Sequence, residues 1–263
     1  MFEYDFMRNA FGAATLVAIL AGCTGYFLVL RAQTFAGHAL AHVGFAGATG
    51  AVLVGISPLW GFLLVTLAGG VGMGLMGERL EGRDVAIGIV LAVSLGVGLL
   101  FLHFFTSYAA QATALLFGNL LGVDAATLEI LAVLTVVSLA ALALLSRPLL
   151  FASLQPELAE AKGVSLRLIS VLYLAVVAIA TAECAQIVGV LLVFGLMIAP
   201  AAAAQRLCSA LSTGVLLAVV FALADAWVGL ALAYYTDWPS SFWIIALSGV
   251  TYLASTLPRP ARG

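Results

Sequence analysis

The chain has 263 residues, of which 64% are hydrophobic and only 8% are charged. About a quarter of the residues of a soluble globular protein are charged, so this chain has too few charges to coat a water-soluble domain of its size. The composition therefore predicts an integral membrane protein solvated by lipid, and its length is best interpreted as a number of spans. With a formal net charge of −2, nucleic acid is not an expected partner.

Nine segments are apolar over about the 20 residues that a membrane-crossing helix requires. We expect an all-α, polytopic membrane helical bundle that forms a single transmembrane domain over residues 1–263. The stretch 104–123 is apolar but is interrupted by polar residues and glycine, so we predict a re-entrant segment there, with a tenth crossing as the alternative. The nine predicted spans are 11–30, 36–56, 59–77, 85–103, 124–146, 166–186, 188–204, 210–234 and 242–257.

The basic residues predict the orientation of these spans. With nine crossings, nine of the ten Lys and Arg residues fall on one side of the membrane, and only Arg8 falls on the other. Because cytoplasmic loops collect Lys and Arg, we expect the N-terminus outside and the C-terminus inside. The protein is thus predicted to be a multi-pass protein of the inner, or plasma, membrane.

Two histidines in the second predicted span are candidates for function, because ionisable side chains inside a membrane are costly to bury. His38 and His42 are four residues apart and share one face of a helix. Counted from Arg31, they lie roughly 10–17 Å into the membrane. Two imidazoles suit zinc and, less selectively, other divalent transition metals, but carboxylates or a symmetry mate must supply the remaining ligands. Alternatively, both histidines are hydrogen-bonded to neighbouring helices.

Two acidic residues extend this candidate metal set. Asp225 lies near the middle of the eighth span, where no Lys or Arg of its own helix can pair with it. Its carboxyl either lines the transport path and contacts metal or makes a structural hydrogen bond. Glu183 lies near the outer end of the sixth span, where solvation at the level of the headgroups would satisfy it without a functional role.

A short amphipathic segment over about 147–165 follows the fifth span on the predicted cytoplasmic side. Pro156 suits the first turn of a helix, and Gly163 fits a C-terminal stop. Leu154 and Leu158 would form an apolar ridge that a groove on a partner protein can accept. The alternative is an ordinary interfacial loop helix.

Four stretches, which follow one another along nearly the whole chain, have sequence patterns that are typical of a known family of membrane proteins. Residues 37–42 read Gly-His-Ala-Leu-Ala-His, residues 188–202 contain Val-Gly-Val-Leu-Leu-Val and Pro-Ala-Ala, and residues 237–239 read Asp-Trp-Pro. Together with the segment 147–165, they resemble the permeases of zinc- and manganese-type metal ABC transporters. His38 stands where that family has Asp, and Leu154-Gln155 stand where it has Phe-Asp. The resemblance assigns coupling to the ATPase to Gln155, Pro156, Glu157, Ala159 and Gly163.

This resemblance implies a permease subunit of an ABC importer that moves a divalent transition metal ion by alternating access. Zinc and manganese are the implied ions, with iron a further possibility, and the ion is the transported substrate and not a permanently bound cofactor. The implied assembly is a homodimer with the path at its interface. Separate ATP-binding cassette subunits lie below it, and an extracellular or periplasmic metal-binding protein docks above.

The chain is not expected to be an enzyme. A P-loop requires the pattern G-x-x-x-x-G-K-[ST], and the only lysine, Lys162, precedes Gly163. Two other transport functions remain open. In a proton-coupled secondary transporter, Asp225 and Glu183 would carry protons, although no convincing inverted repeat supports this. In a siderophore- or cobalamin-type ABC permease the cargo would be larger, although paired histidines suit a bare ion better.

Overall fold

The computed structural model describes residues 3–77, 82–105, 115–190 and 192–257. Ten α-helices and one 3₁₀ turn, Leu120–Gly122, have both ends within these ranges. The helices are α1 (Asp5–Leu30), α2 (Thr34–Leu53), α3 (Pro58–Met76), α4 (Arg83–His103), α5 (Ala125–Leu154), α6 (Pro156–Ala161), α7 (Leu166–Val188), α8 (Val193–Leu207), α9 (Leu211–Thr236) and α10 (Ser240–Thr256).

Nine of these ten helices overlap the nine predicted spans, which confirms the helical-bundle fold, although α8 begins at Val193 and not at the predicted residue 188. Within the described ranges six helices are long and apolar enough to cross a membrane, namely α1, α3, α4, α5, α7 and α9. Helix α2 has 20 residues, but its two histidines and its glycines lower its hydropathy. Helices α8 and α10 have 15 and 17 residues. The number of crossings and the orientation therefore stay predictions.

The predicted re-entrant segment falls partly on residues 106–114, which lie outside the described residues, so it also stays a prediction. Its described end packs against the end of α7. The Asn119 N–H donates to the Gln186 carbonyl at 3.2 Å, and the Val190 N–H donates to the Leu115 carbonyl at 3.3 Å. These two bonds join the turn before α5 to the α7–α8 connection.

Helices α1 and α7 form the centre of the bundle. Of their most apolar stretches, 67% and 72% of the residues are buried, compared with 17% in α4 and 22% in α5. Helix α3 packs against α7 and α2, whereas α9 and α8 pack against α1. The peripheral helices expose ridges such as Val85 and Ile89 on α4 and Val133 and Val136 on α5. Lipid tails are as apolar as these side chains and solvate them.

Helix α5 is longer than the predicted span 124–146. It continues through Pro148 to Leu154, so the first half of the predicted coupling segment 147–165 belongs to this helix. A proline inside a helix removes one backbone hydrogen bond and favours a break. Here Leu149 and Ala152 are buried beyond the proline, and their packing holds the helix together.

Helices α2 and α3 cross at a pair of glycines. A Cβ atom added at Gly47 would collide with the Gly61 carbonyl, and one added at Gly61 would collide with the Gly47 carbonyl. Small residues at a crossing let two backbones approach closely, which is how helices associate in lipid without a hydrophobic driving force between them. This crossing fixes α2, and therefore both histidines, against α3.

The Gly61→Ala substitution is expected to destabilise the protein by about 1–3 kcal/mol, because the added methyl group overpacks the crossing. The loss should be seen as a lower thermal unfolding temperature of the detergent-purified protein. Gly96→Ala on α4 is the matched control, since a Cβ there meets no atom within 4 Å. Equal unfolding temperatures for the two variants would contradict a tight α2–α3 crossing.

Candidate functional site

The two histidines of α2 lie together, as their spacing predicts. Their ring centroids are 4.9 Å apart and the rings are nearly perpendicular, at 85°. The ring of His38 also meets Phe194 of α8 edge-to-face, with the centroids 5.3 Å apart. His42 is 7% exposed, and its Nδ1 atom is buried without a hydrogen-bond partner among the described residues. The sequence left open that hydrogen bonds from neighbouring helices satisfy both imidazoles. No such hydrogen bond is present at Nδ1 of His42 among the described residues.

This pair is an incomplete ligand set. Two imidazoles at this separation can contact one ion, but a closed tetrahedral site needs four ligands. Among the described residues, no group of three or more His, Cys, Asp or Glu side chains could hold a metal. Glu183 and Asp225 therefore do not join the histidines in one cluster. An incomplete set suits transient contact, because a transported ion must leave as readily as it enters.

Glu183 of α7 is completely buried, so the expectation that headgroup-level solvation satisfies it was wrong. Helix α7 packs against α5, the helix that carries the hydrogen-bond partner of Glu183. The Thr135 hydroxyl of α5 donates a hydrogen bond to Oε2 at 2.6 Å, whereas Oε1 has no partner among the described residues. This carboxyl therefore joins α7 to α5.

Asp225 of α9 makes the corresponding contact with α10. The carboxyl is 4% exposed, and the Thr251 hydroxyl donates to Oδ1 at 2.8 Å. Ser248 lies one turn earlier on α10, but neither its hydroxyl nor Oδ2 of Asp225 has a hydrogen-bond partner among the described residues. The structural hydrogen bond expected as one alternative is thus present. A role for Asp225 or Glu183 in metal contact stays a prediction.

The coupling segment contains the short helix that the sequence predicts. Helix α6 begins with Pro156, and Gly163 follows its end with φ +82°. The Gly163 N–H donates to the Glu160 carbonyl and the Val164 N–H to the Ala159 carbonyl, both at 2.9 Å. This pair of bonds is a Schellman motif, which requires a left-handed residue that glycine adopts without strain.

Most of the residues assigned to coupling are accessible. Leu154 and Leu158 are 68% and 46% exposed, so the apolar ridge is present, although Leu154 ends α5 and is not part of α6. Ala159, by contrast, is fully buried and packs within the bundle. The other four residues that the resemblance assigns to coupling are exposed, namely Gln155, Pro156, Glu157 and Gly163.

Sequence analysis missed the partners of the buried carboxyls, Thr135 and Thr251, and the ring beside His38, Phe194. A threonine in an apolar helix usually bonds a carbonyl of its own helix, as Thr49 and Thr66 do here. The sequence therefore carries no signal that separates a threonine that reaches a neighbouring helix from one that does not.

The described residues form a helical bundle with lipid-facing ridges, an inner helix carries a pair of histidines, and an exposed helix connects two spans. These features are typical of a polytopic membrane transport protein. The chain belongs to the ABC 3 transport family, whose sequence profile matches residues 3–258. It is thus the membrane permease subunit of an ABC transporter. Membership of this family implies a separate ATP-binding subunit and argues against a proton-coupled secondary transporter.

Individual relatives agree with this assignment. The manganese transport system membrane protein MntC of Listeria monocytogenes is 26% identical over 264 residues, which cover 100% of this chain and 94% of MntC. The manganese import system permease protein ScaB of Streptococcus gordonii is 26% identical over 262 residues, or 98% of this chain and 93% of ScaB. The structure of PsaBC from Streptococcus pneumoniae in complex with Fab shares the fold, with a TM-score of 0.87, 24% identity and coverage of 98% of this chain and 93% of that chain.

Replacing Thr135 by Val is expected to lower the stability by about 1–3 kcal/mol, because the buried Glu183 carboxyl loses its hydrogen-bond donor. The measurement is the thermal unfolding temperature of the purified protein. Thr256→Val is the control, since that exposed hydroxyl bonds the Leu253 carbonyl of its own helix. If the two variants unfold at the same temperature, the Thr135–Glu183 bond does not stabilise the bundle.

Proposed function

We propose that this permease carries a divalent transition metal ion and that His38 and His42 contact the ion on its way through the membrane. The observation that carries the proposal is the pair of adjacent imidazoles with a buried, unpartnered nitrogen at His42. The names of MntC and ScaB support manganese as cargo, whereas imidazole ligands bind zinc more tightly than manganese. The proposed class of cargo is therefore a divalent transition metal, with no resident cofactor.

The two histidines leave at least two ligand positions to be filled. A second copy of the chain, with its own pair, would supply them if the path runs along the interface of a homodimer. The exposed helix α6 and the ridge of Leu154 and Leu158 would fit a groove on the ATP-binding subunit. An extracellular metal-binding protein would deliver the ion at the opposite end of the bundle.

Replacing both His38 and His42 by Ala should abolish accumulation of zinc and manganese in cells that depend on this transporter. The reason is that the ion loses its only identified nitrogen ligands within the membrane. Accumulation is measured by elemental analysis, and assembly is checked by copurification with the ATP-binding subunit. His103→Ala is the matched control, because His103 is exposed at the end of α4. Unchanged accumulation in the double variant would remove the metal assignment from these residues.

The purified chain alone should hydrolyse no ATP, because it lacks a P-loop. Reconstituted with its ATP-binding subunit, it should support ATP hydrolysis that the cargo metal and the metal-binding protein stimulate. Phosphate release in proteoliposomes measures both activities. Metal movement down a proton gradient by the isolated chain, without any ATPase, would contradict the proposed function.

A further inference from the structure

Arg31 lies at a junction between the coupling segment and the helix that carries the histidines. Its Nη1 donates to the Ser153 hydroxyl at 2.8 Å and, over a longer 3.4 Å, to the Leu149 carbonyl. The Ser153 hydroxyl in turn donates to the Leu149 carbonyl at 2.5 Å. Both acceptors belong to the last two turns of α5, so Arg31 is fixed to the helix that enters the coupling segment.

The same guanidinium also contacts the helix that leaves the coupling segment. It lies over the Tyr173 ring of α7, 5.7 Å from the ring centroid, which is within the range of a cation–π interaction. The Tyr173 hydroxyl donates to the Thr24 carbonyl of α1 at 2.9 Å. Arg31 therefore contacts both helices that flank α6, while its own backbone ends α1.

Helix α6 is closely joined to this junction. Gln155 alone separates α5 from α6, and its N–H donates to the Phe151 carbonyl at 3.0 Å. The Lys162 ammonium, just after α6, lies over the Phe151 ring, 5.8 Å from the centroid. A displacement of α6 by a partner would therefore move the last turns of α5, where Arg31 is held.

On its other side Arg31 is joined to α2 by a short, well-defined turn. The Ala32 N–H donates to the Val29 carbonyl at 3.1 Å, and the Gln33 N–H donates to the Leu28 carbonyl at 3.0 Å. These bonds form a second Schellman motif, with Ala32 at φ +53°, an uncommon conformation for a residue with a side chain. Because α2 begins directly after this turn, a shift of the Arg31 backbone shifts the start of α2.

We propose that Arg31 is a positioning residue that transmits movement of the coupling segment to the histidine-bearing helix α2. This inference rests on the proposed function, in which an ATP-binding subunit moves α6. The contacts form a continuous path from α6 through Ser153 and Arg31 to the first turn of α2. His38 and His42 lie on the next turns of that helix, so the path ends at the proposed metal contacts.

The test uses the full permease reconstituted with its ATP-binding subunit and metal-binding protein. In Arg31→Met and Ser153→Ala, basal ATP hydrolysis and complex assembly are expected to be unchanged. The stimulation of hydrolysis by metal and metal-binding protein should fall by at least about fivefold, the lower end of typical coupling between sites. Arg31→Lys combined with Ser153→Asp should restore it, because an ammonium and a carboxylate recreate the charged contact.

A distance measurement separates transmission from simple stability. Spin labels are attached through Leu158→Cys on α6 and Phe35→Cys on α2, both exposed positions, after Cys23, Cys184 and Cys208 are replaced by Ala. In the wild-type background, ATP binding should displace both labels relative to a third label on α4. In Ser153→Ala only the α6 label should still move.

The outcomes are distinguishable. A wild-type complex without metal-stimulated hydrolysis would contradict the proposed function itself. The role of Arg31 would be overturned by two results together: the wild-type complex shows metal-stimulated hydrolysis, and the Ser153→Ala complex keeps the same stimulation while its α2 label still moves. If Arg31→Met fails to assemble, Ser153→Ala and the Lys–Asp pair decide, because they keep a charged or full-length side chain at position 31.

Discussion

The whole structure depends on the rule that, in lipid, a polar group must find its partner inside the protein. The helices satisfy the backbone. Some buried polar side chains pair across helices, whereas others, such as Thr49 and Thr66, bond a carbonyl of their own helix. Thr135 with Glu183 and Thr251 with Asp225 are two such pairs, each tying two helices together. At His42 one buried imidazole nitrogen has no hydrogen-bond partner among the described residues, and the same is true of one carboxyl oxygen of Glu183 and one of Asp225. What distinguishes His38 and His42 is that two imidazoles of one helix lie next to each other, which supports the proposed metal contact.

The same rule explains the arrangement of the helices. Helices α1 and α7 lie at the centre and take part in several of the side-chain hydrogen bonds between helices of the described residues. Helices α4 and α5 present apolar ridges to the lipid. Close crossings such as Gly47 with Gly61 replace the hydrophobic driving force that lipid does not supply. The histidine helix is consequently held between α3, α4 and the α1–α2 turn. A site built on such a helix moves only when its neighbours move, which suits a transporter that alternates between two states.

In the coupling segment, local sequence determines some features of the structure and tertiary packing determines others. Pro156 and Gly163 determine where α6 begins and ends, and both were predicted from local rules. The extension of α5 through Pro148 was not predicted, because a proline argues for a break. Burial of Leu149 and Ala152 overrides that preference, and the extension brings Ser153 within reach of Arg31. The connection between the coupling segment and α2 is therefore a consequence of packing.

Composition, hydrophobic runs and motif spacing were enough to predict a helical membrane bundle, the approximate positions of nine apolar helices in the described part of the chain, the short helix α6 and the shared face of His38 and His42. These features are local, since each depends on residues within one or two turns. Only the tertiary structure decided that Glu183 is buried, that Thr135 and Thr251 satisfy the two acids, that Phe194 lies beside His38 and that Arg31 reaches Ser153. Those contacts join residues that are far apart in the sequence. The sequence of one apolar helix face does not specify which helix packs against it, because leucine, valine and alanine pack against many surfaces equally well.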